Sequence, residues 1–342
     1  MRKHIVISFL IVVGVVLQAC HKDQVVDFRE DIVDITQVPQ GFPDIDYPDD
    51  NAFTVDRWTL GKKLFFDKRL SKDSSTSCGS CHKPHLAFSD NVATTNGVFD
   101  LPGTRNAPTL TNVAYQPYYT REGGIATLEM QVLVPVQEHN EIGFNIIEIA
   151  ERLSSDSSYQ RLSRNAYGRT LDYYTIVRAI ANFERTIVSG NSPFDQYTYL
   201  GKTSAITGFE LAGLALFNSD KTNCSACHSG IHFTNYGFEN NGLYKMYPDS
   251  GRQRLTNTDT DNGRFKVPTL RNIEVTGPYM HDGSLQTLEE VIEHYNTGGQ
   301  VHRNKSDYVR ALHLTPIEKL QLVAFLKTLT DHDFLNNDSF KQ

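Results

Sequence analysis

Apolar positions along this chain recur at three- and four-residue spacing, not in alternation. Residues 171–189 place Ile176, Ile180, Phe183 and Ile187 on one face, and Gly190 follows as a stop. That spacing predicts a helix with one buried side. A second such stretch opens at Thr315-Pro316-Ile317-Glu318, which reads as a capping box with proline at the first helical position. The helix after it is expected to carry Ile317, Leu320, Val323 and Leu329 on its inner side, packed across the helix of a cysteine motif. No run reads as a set of alternating strands. Residues 238–264 are polar and rich in Asn, Asp and Gly, so they read as a long, functional loop. The fold class is mainly α.

The first twenty residues follow another pattern. Arg2 and Lys3 precede an apolar stretch from Ile5 to Leu17, thirteen residues and too short for a comfortable membrane span. The stretch ends in Leu17-Gln18-Ala19-Cys20, which resembles a bacterial lipobox. The expectation is a lipoprotein signal peptide over 1–19, cleavage before Cys20 and lipidation of that thiol. The protein would then be exported, on the periplasmic side, and anchored to the membrane without spanning it. Residues 20–51 are polar, with Pro39, Pro43 and Pro48, and read as a tether.

Composition narrows the class. The chain has 342 residues, 39% of them apolar and 11% aromatic, enough for a real core. Its length suggests two domains. With 40 acidic against 33 basic residues the net charge is −7, and no Lys/Arg run marks a nucleic-acid footprint. Five cysteines, an odd number, do not suit a disulfide framework.

Four of them form Cys78-Gly79-Ser80-Cys81-His82 and Cys224-Ser225-Ala226-Cys227-His228. C-x-x-C-H is the attachment pattern of c-type heme. Two thiols about one helical turn apart reach the two heme vinyl groups, and the adjacent His ligates the iron. The surroundings repeat as well. Gly61-Lys62-Lys63-Leu64-Phe65 answers Gly213-Leu214-Ala215-Leu216-Phe217, and Pro108-Thr109-Leu110-Thr111-Asn112 answers Pro268-Thr269-Leu270-Arg271-Asn272. Thr127-Leu128-Glu129 answers Thr287-Leu288-Glu289, at 19 residues from the proline in each half. Two related heme domains in tandem follow, expected over 52–200 and 201–342.

The sequence resembles the bacterial diheme cytochrome c peroxidase and MauG superfamily over about residues 52–330. The resemblance rests on Leu60-Gly61, Leu64-Phe65-Phe66-Asp67, Leu70-Ser71 and Arg105-Asn106-Ala107-Pro108-Thr109. It continues through Leu128-Glu129-Met130-Gln131, Glu141-Ile142-Gly143, Phe265 to Asn272, and Gly277-Pro278-Tyr279-Met280-His281-Asp282-Gly283. It implies two cytochrome c-like domains, two covalent hemes c and one Ca²⁺. Hydrogen peroxide would react at the first heme, with His82 as proximal ligand. Gln131 and Glu141 fall at the family's distal positions, Glu141 as the proton-transferring base and Gln131 as a hydrogen-bonding partner. The second heme would relay electrons, with His228 proximal and Tyr295 distal. Met280 is the less favoured distal ligand, and Met246 and His294 are further alternatives. A tyrosinate would make this heme low in potential. Asn106, Thr276 and Pro278 map to the calcium ligands, an all-oxygen set suited to that ion.

Two departures stand out. The only His between the first motif and Arg105 is His85, too near His82 to reach the opposite heme face, so the first heme is expected to be open. The family commonly carries a Trp between the hemes, ten residues before the distal Gln. That position is Arg121, and the single Trp is Trp58. Tyr115, Tyr118 or Tyr119 would have to provide the electron path. The leading function is reduction of hydrogen peroxide with electrons from a small donor protein such as a cytochrome c or cupredoxin. The alternatives are a MauG-like oxidase acting on a protein or organic substrate, and a non-enzymatic diheme electron carrier. No nucleic acid is expected as partner, membrane contact is by the lipid anchor only, and homodimerisation is open.

Overall fold

The computed structural model describes residues 35–342. The leader 1–19 and the lipidation site expected at Cys20 lie outside the described residues. In chain order the helices are α1 (Val55–Phe65), α2 (Cys78–Cys81), α3 (Leu128–Gln137), α4 (Ile146–Ser154), α5 (Ser157–Tyr167), α6 (Tyr173–Glu184) and α7 (Pro193–Thr198). They continue as α8 (Gly208–Phe217), α9 (Cys224–Cys227), α10 (Gln253–Thr256), α11 (Leu288–Thr297), α12 (Pro316–Lys327) and α13 (His332–Asn336). A two-stranded antiparallel pair, β1 (Phe238–Glu239) and β2 (Phe265–Lys266), closes the long loop at its base. No described helix is long and apolar enough to cross a membrane. The architecture is mainly helical, two cytochrome c-like domains in tandem.

Each domain is built on the same helix crossing. In the first, α1 meets α6 at Gly61, where an added Cβ would lie 1.9 Å from the carbonyl oxygen of Ala179. In the second, α8 meets α12 at Gly213, with the same clash at 2.0 Å from the carbonyl oxygen of Gln321. Only glycine lets the backbones come this close. The aromatic filling repeats too. Phe65 packs on Phe183 at 5.0 Å between ring centroids, and Phe217 packs on Phe325 at 5.1 Å. The duplication read from sequence is therefore a duplication of packing.

The predicted helices form, with two corrections. The face of Ile176, Ile180, Phe183 and Ile187 is buried throughout. However, α6 ends at Glu184 and is capped by Arg185, not by Gly190. There Arg185 turns to pair with Glu129 at 2.7 and 2.9 Å. The capping box of Thr315 and Glu318 is present with Pro316 inside the first turn. The inner face of α12 is different from the one expected. Ile317 and Leu320 are 52% and 55% exposed, while Leu322, Val323, Phe325 and Leu326 are buried. The seam is set by Gly213 facing Gln321, so α12 lies on α8, the helix before the second cysteine motif, and not across α9.

The domains exchange their tails. Phe194, on α7 just after the first domain's last long helix, packs against Phe233 and Phe325 of the second core. Phe334 and Phe340, just after α12, pack against Phe88 of the first core. Between the tails, Asn112 and Asn272 occupy matching left-handed positions at φ 59° and 58°. The Asn112 amide donates to the Ser189 carbonyl at 3.0 Å, and its side-chain oxygen accepts from the Ser189 N–H at 2.8 Å. Asn272 donates to Ser189 Oγ at 3.0 Å and accepts from the Asp331 N–H at 2.8 Å. The described end of the expected tether is also packed. Ile35 is buried in the first core, and the Phe42 ring meets Tyr115, Tyr199 and His232.

Candidate functional site

The two C-x-x-C segments are single helical turns, α2 and α9, each followed by its His in a non-helical conformation. The four cysteines are unbonded and half-buried. His82 Nδ1 lies 2.8 Å from the carbonyl oxygen of Phe88, and His228 Nδ1 lies 3.0 Å from that of Phe233. A carbonyl can only accept, so Nδ1 carries the proton in each ring and Nε2 presents its lone pair. Burial lowers both imidazole pKa values, which keeps the rings neutral. Phe88 and Phe233 hold left-handed backbone, φ 56° and 51°, and this turns their carbonyls toward the rings. Paired thiols beside a neutral, pre-oriented imidazole fit covalent heme at both places.

Gln131 stands on α3, and Glu141 on the return of the chain that follows it. The Gln131 Oε1 is buried without a hydrogen-bond partner. Pro135 lies inside α3 and has no N–H to give the Gln131 carbonyl, so the helix runs on to Gln137 without that hydrogen bond. The chain then folds back through hydrogen bonds from Ile142 N–H to the Pro135 carbonyl at 3.2 Å and from Phe144 N–H to the Val136 carbonyl at 2.9 Å. This return carries Glu141. Its side chain is exposed to solvent at one side and crowded by protein atoms at the other. Enclosure, with the Glu138 charge, raises its pKa. Burial raises the pKa values of Cys78 and Cys81, and the Glu141 charge adds a smaller rise to both. His85 is exposed on a short 3₁₀ turn, Pro84–Leu86.

Tyr295 is on α11, with its phenol deep in the second pocket. Burial, with smaller contributions from Cys224 and Cys227, pushes its pKa up to about 12, while a hydrogen bond from Asn241 opposes the rise. Asn241 was not singled out by sequence reasoning, although it stands in the long loop, just past β1. The Leu243 N–H donates to its Oδ1 at 3.1 Å, which turns Nδ2 outward as the donor. Nδ2 then meets Met280 Sδ at 3.1 Å. One amide thus faces both distal candidates, Tyr295 and Met280. The other two alternatives are elsewhere engaged. His294 Nε2 lies 3.0 Å from the Asn241 carbonyl, and Met246 is 85% exposed.

Of the calcium candidates, Asn106 lies where the halves join. Asn106 N–H donates to the His281 carbonyl at 3.0 Å, and its Nδ2 donates to the Val92 carbonyl at 3.1 Å. Among the described residues, no hydrogen bond reaches the carbonyl oxygens of Thr276 or Pro278. Two unclaimed carbonyls and an amide oxygen fit a hard cation. Trp58 is a core residue, with its indole N–H on Thr186 Oγ1 at 3.0 Å, and is no inter-heme group. Of the tyrosines considered for the electron path, Tyr118 stacks on Phe238 at 5.4 Å and Tyr115 packs on His232 at 4.7 Å, both across the halves.

Sequence reasoning also missed Glu184. It is 8% exposed among apolar side chains of α6, and burial raises its pKa to about 8. Its charge reaches Cys78 of the first motif. A Glu-Arg pair inside an otherwise apolar helix was the available signal.

Comparison with known proteins agrees with this geometry. The family model for di-haem cytochrome c peroxidase matches residues 55–204. The methylamine utilization protein MauG of Methylorubrum extorquens is 37% identical over 295 residues, 85% of this chain and 82% of its own. The cytochrome c551 peroxidase of Nitrosomonas europaea is 36% identical over 284 residues, 81% of this chain and 80% of its own. A crystal structure of a MauG-like protein associated with microbial copper homeostasis superposes with a TM-score of 0.85 at 32% identity, covering 89% of this chain and 98% of that one. The duplicated helix crossing, the two oriented imidazoles and these likenesses make the chain a member of the di-haem cytochrome c peroxidase and MauG family.

Proposed function

We propose that the His82 pocket is where this diheme peroxidase reduces hydrogen peroxide to water, with electrons entering through the His228 pocket. The overall reaction takes two electrons and two protons and yields two waters. The bound iron supplies electrons and an open coordination position for the peroxide. Glu141 takes the proton from the near oxygen of peroxide and returns it to the departing one. Gln131 accepts a hydrogen bond from the peroxide through Oε1, the buried acceptor that no protein group satisfies. That unsatisfied Gln131 acceptor carries this reading, together with the Glu141 carboxyl whose pKa burial and Glu138 raise. Enclosure brings the carboxyl nearer to neutral pH, where proton exchange is efficient.

Tyr295 is the preferred second ligand at the His228 pocket, because the Asn241 amide donor stabilises its phenolate. Such a ligand lowers the potential and favours a second reading, MauG-like oxidation of a protein or organic substrate. Similarity to MauG itself and to the MauG-like protein of copper homeostasis supports keeping that reading. One Ca²⁺ at Asn106, Thr276 and Pro278 would brace the two halves. The electron donor is a small cytochrome c or cupredoxin, and the protein is exported and held to the membrane through lipid on Cys20. Peroxide consumption with reduced cytochrome c tests the first reading. Sustained turnover supports it, whereas one reaction cycle with no donor oxidation favours the second.

A further inference from the structure

Arg121 lies half-buried at the junction of the two halves, and its guanidinium forms no ion pair with the nearby Glu122, Asp249 or Asp282. Its guanidinium has five N–H donors. The one protein acceptor it reaches is the Asn106 carbonyl, from Nη2 at 2.7 Å. The nearby acids are engaged elsewhere. Arg105 claims Asp249 at 2.6 and 2.9 Å and Glu122 at 2.6 Å. Asp282 accepts from the Tyr244 hydroxyl at 2.5 Å and the Ser284 N–H at 3.1 Å.

A second half-buried cation sits beside it with the same lack. Lys266 Nζ meets only neutral oxygens, Gln116 Oε1 at 2.5 Å and the Tyr118 carbonyl at 2.9 Å. Its own N–H donates to the Arg121 carbonyl at 2.7 Å. Burial, with repulsion from Arg105, pushes Arg121 down to about 10, and burial, with repulsion from Arg121, pushes Lys266 down to about 8. The carboxylates that oppose the fall at Arg121, namely Glu122, Asp249 and Asp282, are each held by another partner.

The duplication shows that this charge is placed and not incidental. Asn106 and Lys266, Gln116 and Thr276, Tyr118 and Pro278, and Arg121 and His281 each stand 160 residues apart. The hydrogen bond from Lys266 N–H to Arg121 mirrors the one from Asn106 N–H to His281. On one side of this internal two-fold the cradle is neutral and offers free carbonyls. On the other it is filled by a lysine and an arginine of the chain itself.

Buried cations without anions are costly, and an anionic partner offsets that cost. The strands concerned run from this junction directly to the heme pockets. Pro108, two residues past Asn106, faces His82 through its carbonyl, and Pro268, two past Lys266, faces His228 in the same way. The carboxylates that heme brings to such an edge are its propionates. We infer that Arg121, supported by Lys266, binds heme propionate at the domain junction, and so acts as a positioning residue that holds the heme potentials up. A guanidinium suits this role because its fork matches a carboxylate in two hydrogen bonds.

The test compares holoprotein with Arg121→Gln and Arg121→Lys variants by spectroelectrochemical titration, with pyridine hemochrome giving heme per chain. Two hemes per chain in the wild type test the diheme assignment separately. Loss of the charge in Arg121→Gln is expected to lower the midpoint potentials at unchanged heme content, and Arg121→Lys to restore most of the shift. Unchanged potentials in a fully loaded Arg121→Gln protein overturn the inference, as does a shift that lysine fails to restore. Should Arg121→Gln not load heme, the crystal structure of the wild-type holoprotein decides. A guanidinium nitrogen within hydrogen-bond distance of a propionate oxygen supports the inference, and one separated from every propionate refutes it.

Discussion

Replacing Glu141 by Gln keeps the side chain's shape and removes its capacity to accept a proton. Peroxide turnover should fall by about 10²–10⁴-fold, with heme content and visible spectrum unchanged. Stopped-flow mixing with peroxide measures this. Glu141 works as a base only when ionised, and enclosure raises its pKa. The rate should therefore rise with pH through that raised value and then level, and the Gln variant should lack this limb. Glu184 gives an opposite dependence, seen in stability. Its pKa goes up to about 8 through burial, outweighing Arg185, which is itself held by Glu129, while Tyr119 and Cys78 face the same carboxyl. The folded state holds this proton more tightly than the unfolded one, so the contribution is fully present below the ordinary carboxyl range and lost as pH rises toward 8. Glu184→Gln should flatten the decline in melting temperature between pH 5 and 8 (about the span of that titration). In the second pocket, Tyr295→Met should raise the heme potential, read by redox titration.

The two helix crossings are the parts of the fold that depend most on single atoms. Gly61→Ala or Gly213→Ala drives a methyl group into a backbone carbonyl. Each should destabilise the holoprotein by about 1–3 kcal/mol or more, measured by denaturant unfolding. The pair of Arg271 and Asp195, with side chains 0% and 1% exposed, ties α7 to the second domain. Asp195→Ala leaves a buried guanidinium unpaired and should cost about 3–5 kcal/mol. Elements of this kind were partly legible in the sequence. The repeat gave the duplicated core, and Thr315-Pro316-Ile317-Glu318 gave the start of α12, because caps and repeats are local signals. The inner face of α12 was misread because its seam is set by the glycine of a helix about a hundred residues away. The end of α6 was misplaced because an ion pair between Arg185 and Glu129, not a glycine, turns the chain. In the site, the cysteines, histidines, Gln131, Glu141 and Tyr295 were assigned from motif positions. Asn241 carries no motif, and only the loop's path brings it between Met280 and Tyr295.

As a whole the molecule is two copies of one heme unit locked by exchanged tails and a central Asn112–Ser189–Asn272 cluster. This arrangement makes the domains interdependent, since Phe334 and Phe340 complete the first core from the far end of the chain. It also brings the strands beside His82 and His228 to one junction, where Tyr118 stacks on Phe238 and Arg121 replaces the family's Trp. With the proposed Ca²⁺ bound at Asn106, Thr276 and Pro278, a chelator should loosen this junction and slow electron passage between the hemes more than it alters either heme's spectrum. The most direct measurement is steady-state peroxide reduction by the two-heme holoprotein with reduced cytochrome c as donor, beside its Glu141→Gln variant. Donor oxidation at two electrons per peroxide, sustained in the wild type and lost in the variant, is the expected result. A two-heme protein that consumes peroxide equally well without Glu141, or oxidises no donor at all, would contradict the assignment of the His82 pocket as its peroxide-reducing centre.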